Sequence, residues 1–236
     1  MNVGRRLRRG LIVGGVAGVA LAALGGAGLM LLGTHHAPGP LGLSTPAPQA
    51  SLSSADGVWT VKAGSQVGYR VKEQFINQPG PTEAVARTSK VTGGLRIVGS
   101  DSSLKATGIH FTTDLASLQS QDEYANYKAY QRDFFIRSIY LQTDRYPNAD
   151  FKADSVDIPA IATGSISVPA SGRLTIRGVT KPVRADIQAQ LSGSDVELAG
   201  SMTVDMRDFG IEVPDISFTT AQPIVAIEFH LLLAHS

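Results

Sequence analysis

From Trp59 onward, apolar and polar residues alternate along most of the chain. In Gln66–Phe75 the odd positions Val67, Tyr69, Val71 and Phe75 are apolar, with Arg70, Lys72 and Gln74 between them, and Glu73 is the exception. Period two marks a half-buried strand. Val91–Gly99 repeats it with Leu95 and Ile97 inward and Arg96 outward, and Lys105–Leu115 does so with Ile109, Phe111 and Leu115 on one side. Gly/Ser/Asp clusters such as Gly99–Ser103 separate these runs and predict tight antiparallel connections.

The period then changes. Ser120-Gln-Asp-Glu123 fits a capping box, and Tyr124, Tyr127, Gln131, Phe134 or Phe135, and Ser138 follow at helical spacing. This predicts one helix with an aromatic face, placed as core packing or as a plug at one end of the sheet. It should stop before Tyr146-Pro147, because the residue before proline is pushed out of helical geometry. Alternation resumes after Pro147. Phe151, Ala153 and Ser155 face one way, Ile166, Val168, Leu174 and Ile176 share a parity, and Val183–Leu191 alternates without exception. Val196–Val204 and Val225–Leu233 complete the series.

Seven or eight long strands with one helical interruption predict an all-β antiparallel fold closed into a barrel, since closure removes exposed edges. An eight-stranded barrel lined by Val, Ala, Ile and Gly leaves room for one elongated apolar ligand. By parity the lining is Tyr69, Val71, Phe75, Leu95, Phe111, Phe151, Leu174, Ile187 and Phe229, with Phe134 contributed by the helix.

The first 55 residues are of a different kind. Arg5, Arg6, Arg8 and Arg9 precede Gly10–Gly33, 24 residues without charge or proline. At about 1.5 Å per residue that run reaches roughly 36 Å, enough to cross a bilayer core. Arginine on one side only predicts a single-pass cell-membrane protein with its N-terminus inside and the remainder outside. Cleavage at Ala20-Leu21-Ala22, giving a secreted protein, is the alternative. Residues 34–55 are rich in Pro, Ser, Ala and Gly and predict a tether. The chain therefore divides into a basic tail and anchor (1–33), a tether (34–55) and a barrel domain (56–236).

Formal net charge is +1, but residues 1–55 hold four Arg and no Lys, Asp or Glu, so the rest carries −3. A mildly acidic domain lacks the basic excess of a nucleic-acid binder. The absence of cysteine removes disulfides, thiolate metal sites and thiol nucleophiles. His110 and His230 have no carboxylate partner assignable from spacing, and His35-His36 has no further ligands, so no metal and no cofactor are expected. No serine sits in a nucleophile-elbow context and no Gly-rich phosphate loop is present, so no catalytic residues are assigned. Arg132 and Asp133 are candidates for contact with a ligand head group, or for a structural pair fixing the helix to the barrel mouth. Arg173, Arg177 and Lys181 read as a solvated face, and Asp208 as a turn former. Oligomeric state leaves no mark in the sequence.

Three segments carry a family resemblance. Arg132–Phe151 (RDFFIRSIYLQTDRYPNADF), Gly172–Val183 (GRLTIRGVTKPV) and Arg207–Ile211 (RDFGI) resemble, in that order, motifs of the YceI-like family, and the likeness covers about Asp56 to His235. The chain departs from the family's periplasmic members at Gly64-Ser65, Phe135-Ile136 and Tyr140–Gln142, so no role passes to the histidines missing there. Tyr69-Arg70-Val71 and the anchor look more like the actinobacterial branch. The resemblance implies an extended lipocalin-like barrel holding a polyisoprenoid, such as an isoprenoid quinone or a prenyl phosphate. Two other readings stand beside this carrier: an enzyme or accessory factor of prenyl-lipid metabolism, which would need a polar cluster at the cavity mouth, for example Arg132 and Asp133 near His230, and a filled structural barrel without ligand.

Overall fold

The computed structural model describes residues 36–45, 56–76, 78–100, 103–122, 129–159, 164–216 and 218–236. The predicted anchor over 10–33 lies outside them, and among the described residues no helix is long and apolar enough to cross a membrane.

The alternating runs form antiparallel strands: β1 (Gly57–Val61), β2 (Gln66–Phe75), β3 (Thr82–Thr88), β4 (Val91–Ser100), β5 (Ser103–Asp114), β6 (Gln119–Ser120), β7 (Asn148–Ile158), β8 (Ile166–Ile176), β9 (Val179–Ser192), β10 (Asp195–Asp205), β11 (Asp215–Ile216) and β12 (Thr219–His235). β1 closes the sheet. Its Trp59 is paired with Leu95 of β4 on one side and with His235 of β12 on the other. The closed circuit has eight strands in the order β1-β4-β5-β7-β8-β9-β10-β12. β12 is long enough to serve two partners, β1 along residues 233–235 and β2 along 219–230. β2, β3 and β6 form a flap that continues the sheet beyond β12.

Register confirms the facing along most strands. Val67, Tyr69 and Val71 lie opposite Phe229, Ile227 and Val225, and Leu198 lies opposite Ala189 and Leu231. Two positions make room for aromatic rings inside. A Cβ on Gly172 would stand 2.6 Å from Phe151 Cζ, and one on Gly200 would stand 2.9 Å from Phe229 Cζ, so each ring lies over a glycine on the adjacent strand.

Two local expectations are corrected. Gly108 adopts φ +59°, and the alternation changes phase there. Leu104 and Ala106 face in before it, Ile109 after it. The paired β7 shifts with it, so Val156 is buried and Ser155 is exposed rather than sharing the face of Phe151 and Ala153. Of the predicted capping box, Glu123 lies outside the described residues, as do Tyr124 and Tyr127; its Ser120 ends β6 and donates its hydroxyl to Asp133 Oδ1 at 2.5 Å. The helix, α1, covers Ala129–Phe135 and opens into a wider π-type turn over Ile136–Leu141. It ends at Gln142, whose φ of 53° is left-handed, before Tyr146-Pro147 as expected. Its aromatic face is not core: Tyr130 is 63 % and Phe134 58 % exposed, whereas Arg132 is buried.

Candidate functional site

The barrel interior is the first element of the site. Val71, Leu95, Leu174 and Phe229 are buried in the apolar core, and Tyr69, Phe111, Phe151 and Ile187 pack against it while remaining partly accessible. These four share the inward parity of their strands without being fully buried. Phe75 is buried at the end of β2 and stacks on Phe218, 6.5 Å between centroids. Phe134 lies outside this lining, on the exposed side of α1, with its ring edge-on to Phe135 at 5.9 Å.

An ionic cluster sits where α1 packs against the flap. Arg132 donates through Nη1 to Asp122 Oδ2 at 2.7 Å, through Nη2 to Asp122 Oδ1, and through Nε to Ser120 Oγ at 3.0 Å. The Val85 amide adds a bond to Asp122 Oδ1 at 3.0 Å. Glu73, the exception in the strand pattern, keeps the inward parity of β2 and places Oε1 3.7 Å from Arg132 Nη1. Glu73 Oε1 is buried and, among the described residues, accepts no hydrogen bond. Burial pushes its carboxyl up to about 7, partly offset by Arg132 and reinforced by Asp122. Asp122 feels burial as well, but its bonds to Arg132 and the Val85 amide hold its carboxyl below the ordinary range. Burial also raises the Tyr69 phenol, with Arg132 acting the other way. Arg132 and Asp133 do not form a pair. Arg132 belongs to Asp122 and Glu73, while Asp133 accepts from the Ser120 amide at 3.0 Å and its hydroxyl.

A second polar seam runs across the outer wall. Glu197 on β10 and Glu228 on β12 project outward, yet they are 0 % and 3 % exposed because residues 36–45 lie over them as a strap. The Ser44 amide and hydroxyl donate to Glu197 at 2.7 and 2.8 Å, and the Leu41 amide donates to Glu228 Oε2 at 3.3 Å. Arg70 and Arg87, on β2 and β3, donate to the carbonyls of Pro38 and Gly39 at 2.7 and 2.5 Å. Gln190 and His230 complete the ring around Glu197, at 2.7 and 2.6 Å. Burial alone would raise the Glu197 carboxyl, but the Ser44 amide, Gln190, His230 and the Ser44 hydroxyl bring it down to about 2. His230 thus has a carboxylate partner that spacing did not reveal, and it faces the outer wall. His230 is engaged with Glu197 on the outer wall, whereas Arg132 is engaged with Asp122 at the flap.

The three family-like segments converge at the β8–β9 turn. Arg177 and Gly178 have φ of 51° and 74°, which makes the turn between Ile176 and Val179 a two-residue hairpin of the primed type. Arg177 Nη1 donates to the Gly210 carbonyl, and Tyr146 Cε1 stands 3.2 Å from where a Gly178 Cβ would lie. Gly210, φ 66°, closes the turn Met206–Phe209, whose first amide, that of Arg207, is capped by Asp205 at 2.9 Å; Asp208 does not supply that cap. Arg173 lies on the solvated face and, with Asp150, Lys152, Thr175 and Thr180, lines an open depression of about 380 Å³. Among the described residues, no group of three or more His, Asp or Glu is placed to hold a metal.

This architecture has counterparts among known proteins. A YceI-like domain matches residues 59–233. A UPF0312 protein of Pseudomonas putida is 33 % identical over 105 residues, 42 % of this chain and 53 % of the relative. The chain thus spans about half the length of the first curated relatives it matches. A UPF0312 protein of Shewanella putrefaciens is 26 % identical over 180 residues, 73 % of this chain and 85 % of its own. Among solved structures, a polyisoprenoid binding domain from Saccharophagus degradans superposes with a TM-score of 0.53 at 14 % identity, covering 75 % of this chain and 98 % of that domain. Burkholderia cenocepacia BcnA does so with a TM-score of 0.50 at 20 % identity, covering 71 % and 95 %. At these identities the structures speak for the fold. The matched domain takes in the closed barrel, the flap and α1, and it contains all three motif segments that meet at the β8–β9 turn; the chain belongs to the YceI-like family.

Proposed function

We propose that the barrel carries one long-chain polyisoprenoid lipid in its lumen, outside the cytoplasm, on a chain held to the membrane by residues 10–33. The observation that carries this reading is the inward-facing, half-buried set Tyr69, Phe111, Phe151 and Ile187 on the wall of a closed YceI-like barrel. The polyisoprenoid binding domain of similar fold supports the ligand class. Apolar burial provides the affinity. At ~0.8 kcal/mol per CH₂, a five-carbon prenyl unit offers roughly 3–4 kcal/mol before ordering costs. A ten-residue strand is ~34 Å long, so several extended units fit along the barrel.

The head group is the finer question. Arg132 is already engaged by Asp122 in a bidentate pair, and Glu73 adds a second carboxyl to the same cluster. That balance favours a neutral head, an isoprenoid quinone, over a prenyl phosphate. The reading assigns no chemistry to the barrel. Organic extraction of the purified full-length protein, followed by chromatography of the extract, tests it: a quinone in near-equimolar amount supports the proposal, and an extract free of prenyl lipid overturns it.

A further inference from the structure

Helix α1 is amphipathic in the reverse of the usual sense. Its charged Arg132 points into the fold, and Asp133 is half-buried against Ser120. Its large apolar residues point out: Tyr130 63 %, Phe134 58 %, Phe135 40 % and, on the following turn, Ile139 53 % exposed. Ile76, in the turn just past β2 and three residues beyond Glu73, is 74 % exposed. A surface helix in water normally shows the opposite arrangement. Aromatic rings and Ile139 exposed along α1 mark an interaction surface.

The occupant is indicated by the way the chain enters the barrel. The 24-residue uncharged run ends at Gly33, and only Thr34 and His35 separate it from the strap at His36. The strap is first pinned on the flap, where Arg70 of β2 and Arg87 of β3 hold Pro38 and Gly39. α1 packs on that same flap through the Arg132 bonds to Asp122 and Ser120. The described chain thus begins, two residues beyond the apolar run in sequence, on the flap that α1 packs against.

We infer that this exposed face of α1 rests on the surface of the lipid bilayer that the apolar run would enter, so that the flap end of the barrel is the end that exchanges lipid with the membrane. Aromatic rings with a polar edge favour the headgroup boundary, and Phe and Ile enter the layer beneath it. The inference rests on the carrier reading for its purpose, but the contact is measured independently of cargo.

The chain has no cysteine, so single-cysteine labelling is unambiguous. Full-length Phe134→Cys and, as a control on β7, Asp157→Cys would be labelled with an environment-sensitive fluorophore. Each would be reconstituted into phosphatidylcholine–phosphatidylglycerol vesicles containing a shallow spin-labelled lipid. The expected result is quenching about fivefold stronger at 134 than at 157, as for a side chain inserted at the headgroup boundary. Equal, weak quenching at both sites overturns the inference. So does a buried spectrum at 134 that persists in detergent and strengthens with protein concentration, because the occupant would then be a second copy of the chain. Prenyl lipid extracted from the same vesicles reports on the carrier reading separately.

Discussion

Ser44 places both its amide and its hydroxyl on the carboxylate of Glu197, at 2.7 and 2.8 Å, joining a residue of the Pro-rich segment to the outer wall of β10. The segment is extended because Pro38 and Pro40 fix their φ angles and donate no amide. Its carbonyls accept from Arg70 and Arg87, and its amides donate to Glu228 and Glu197.

Loss of the Glu197 charge should release the strap. The folded carboxyl titrates at about 2, below the ordinary glutamate value of 4.5. A depressed carboxyl contributes stability that is fully present above the unfolded pKa and is lost as pH falls from about 4.5 to about 2, roughly 3 kcal/mol in all. Glu197→Gln should lower stability by about 2 kcal/mol at pH 7. It should also expose residues 36–45 to limited proteolysis while residues 56–236 stay intact. Unchanged protection of the segment would mean that Glu197 does not hold it.

Glu73 works in the opposite direction and in a different pH window. Its folded carboxyl is raised to about 7. The folded state keeps its proton while the unfolded chain loses it, so the cost is absent below the unfolded pKa, near 4.5, and complete above pH 7. Stability should therefore fall by roughly 3 kcal/mol as pH rises from 4.5 to 7. Glu73→Gln should flatten this slope and make the protein more stable than wild type at pH 8 by about 2 kcal/mol. Urea unfolding at pH 5 and pH 8 checks it, and an unaltered slope in the variant would contradict the assignment.

Removing Arg132 should cost far more. Asp122 would be left buried without its bidentate partner, and the link between α1 and the flap would go with it. Breaking a buried pair from one side costs about 3–5 kcal/mol. Arg132→Ala is expected to lower the thermal midpoint sharply, whereas Arg137→Ala, which loses only bonds to the carbonyls of Ala116 and Leu118, should lower it little.

The motif turn has its own sensitivity. Gly178 sits at φ 74° with Tyr146 3.2 Å from its absent Cβ. Gly178→Ala combines left-handed strain with displacement of that ring and should destabilise by about 1–2 kcal/mol. Gly164→Ala, at φ 86° with open space around it, is the control that isolates the strain.

How far the sequence carried depends on the residue. The strands were legible because alternation reports directly on a wall with one apolar side, and closure followed from their number. The phase change at Gly108 was hidden, since a bulge leaves no trace in the count of apolar residues. Glu73 was visible as an exception to its strand, but Asp122 was not, because the loop that carries it has no pattern. The outward Glu197 and Glu228 looked like ordinary solvent-facing positions. Only the strap makes them buried, and a Pro-rich stretch gives no periodicity from which docking could be read. The aromatic spacing of α1 correctly predicted a helix, but not which way it faces. That is set by the Arg132–Asp122 pair, whose two members are far weaker signals than a stripe of rings.

The most direct measurement is native mass spectrometry of the full-length protein released from detergent, wild type beside Ile187→Trp, whose added ring is placed to fill the lumen. The account predicts one discrete adduct of prenyl-lipid mass per wild-type chain. It predicts at least about a tenfold loss of that adduct in the folded variant, as expected when a site's apolar volume is taken up by protein. A wild-type mass equal to that of the bare chain, with no uptake on adding an isoprenoid quinone or a prenyl phosphate, would contradict it and leave a barrel whose interior serves stability alone.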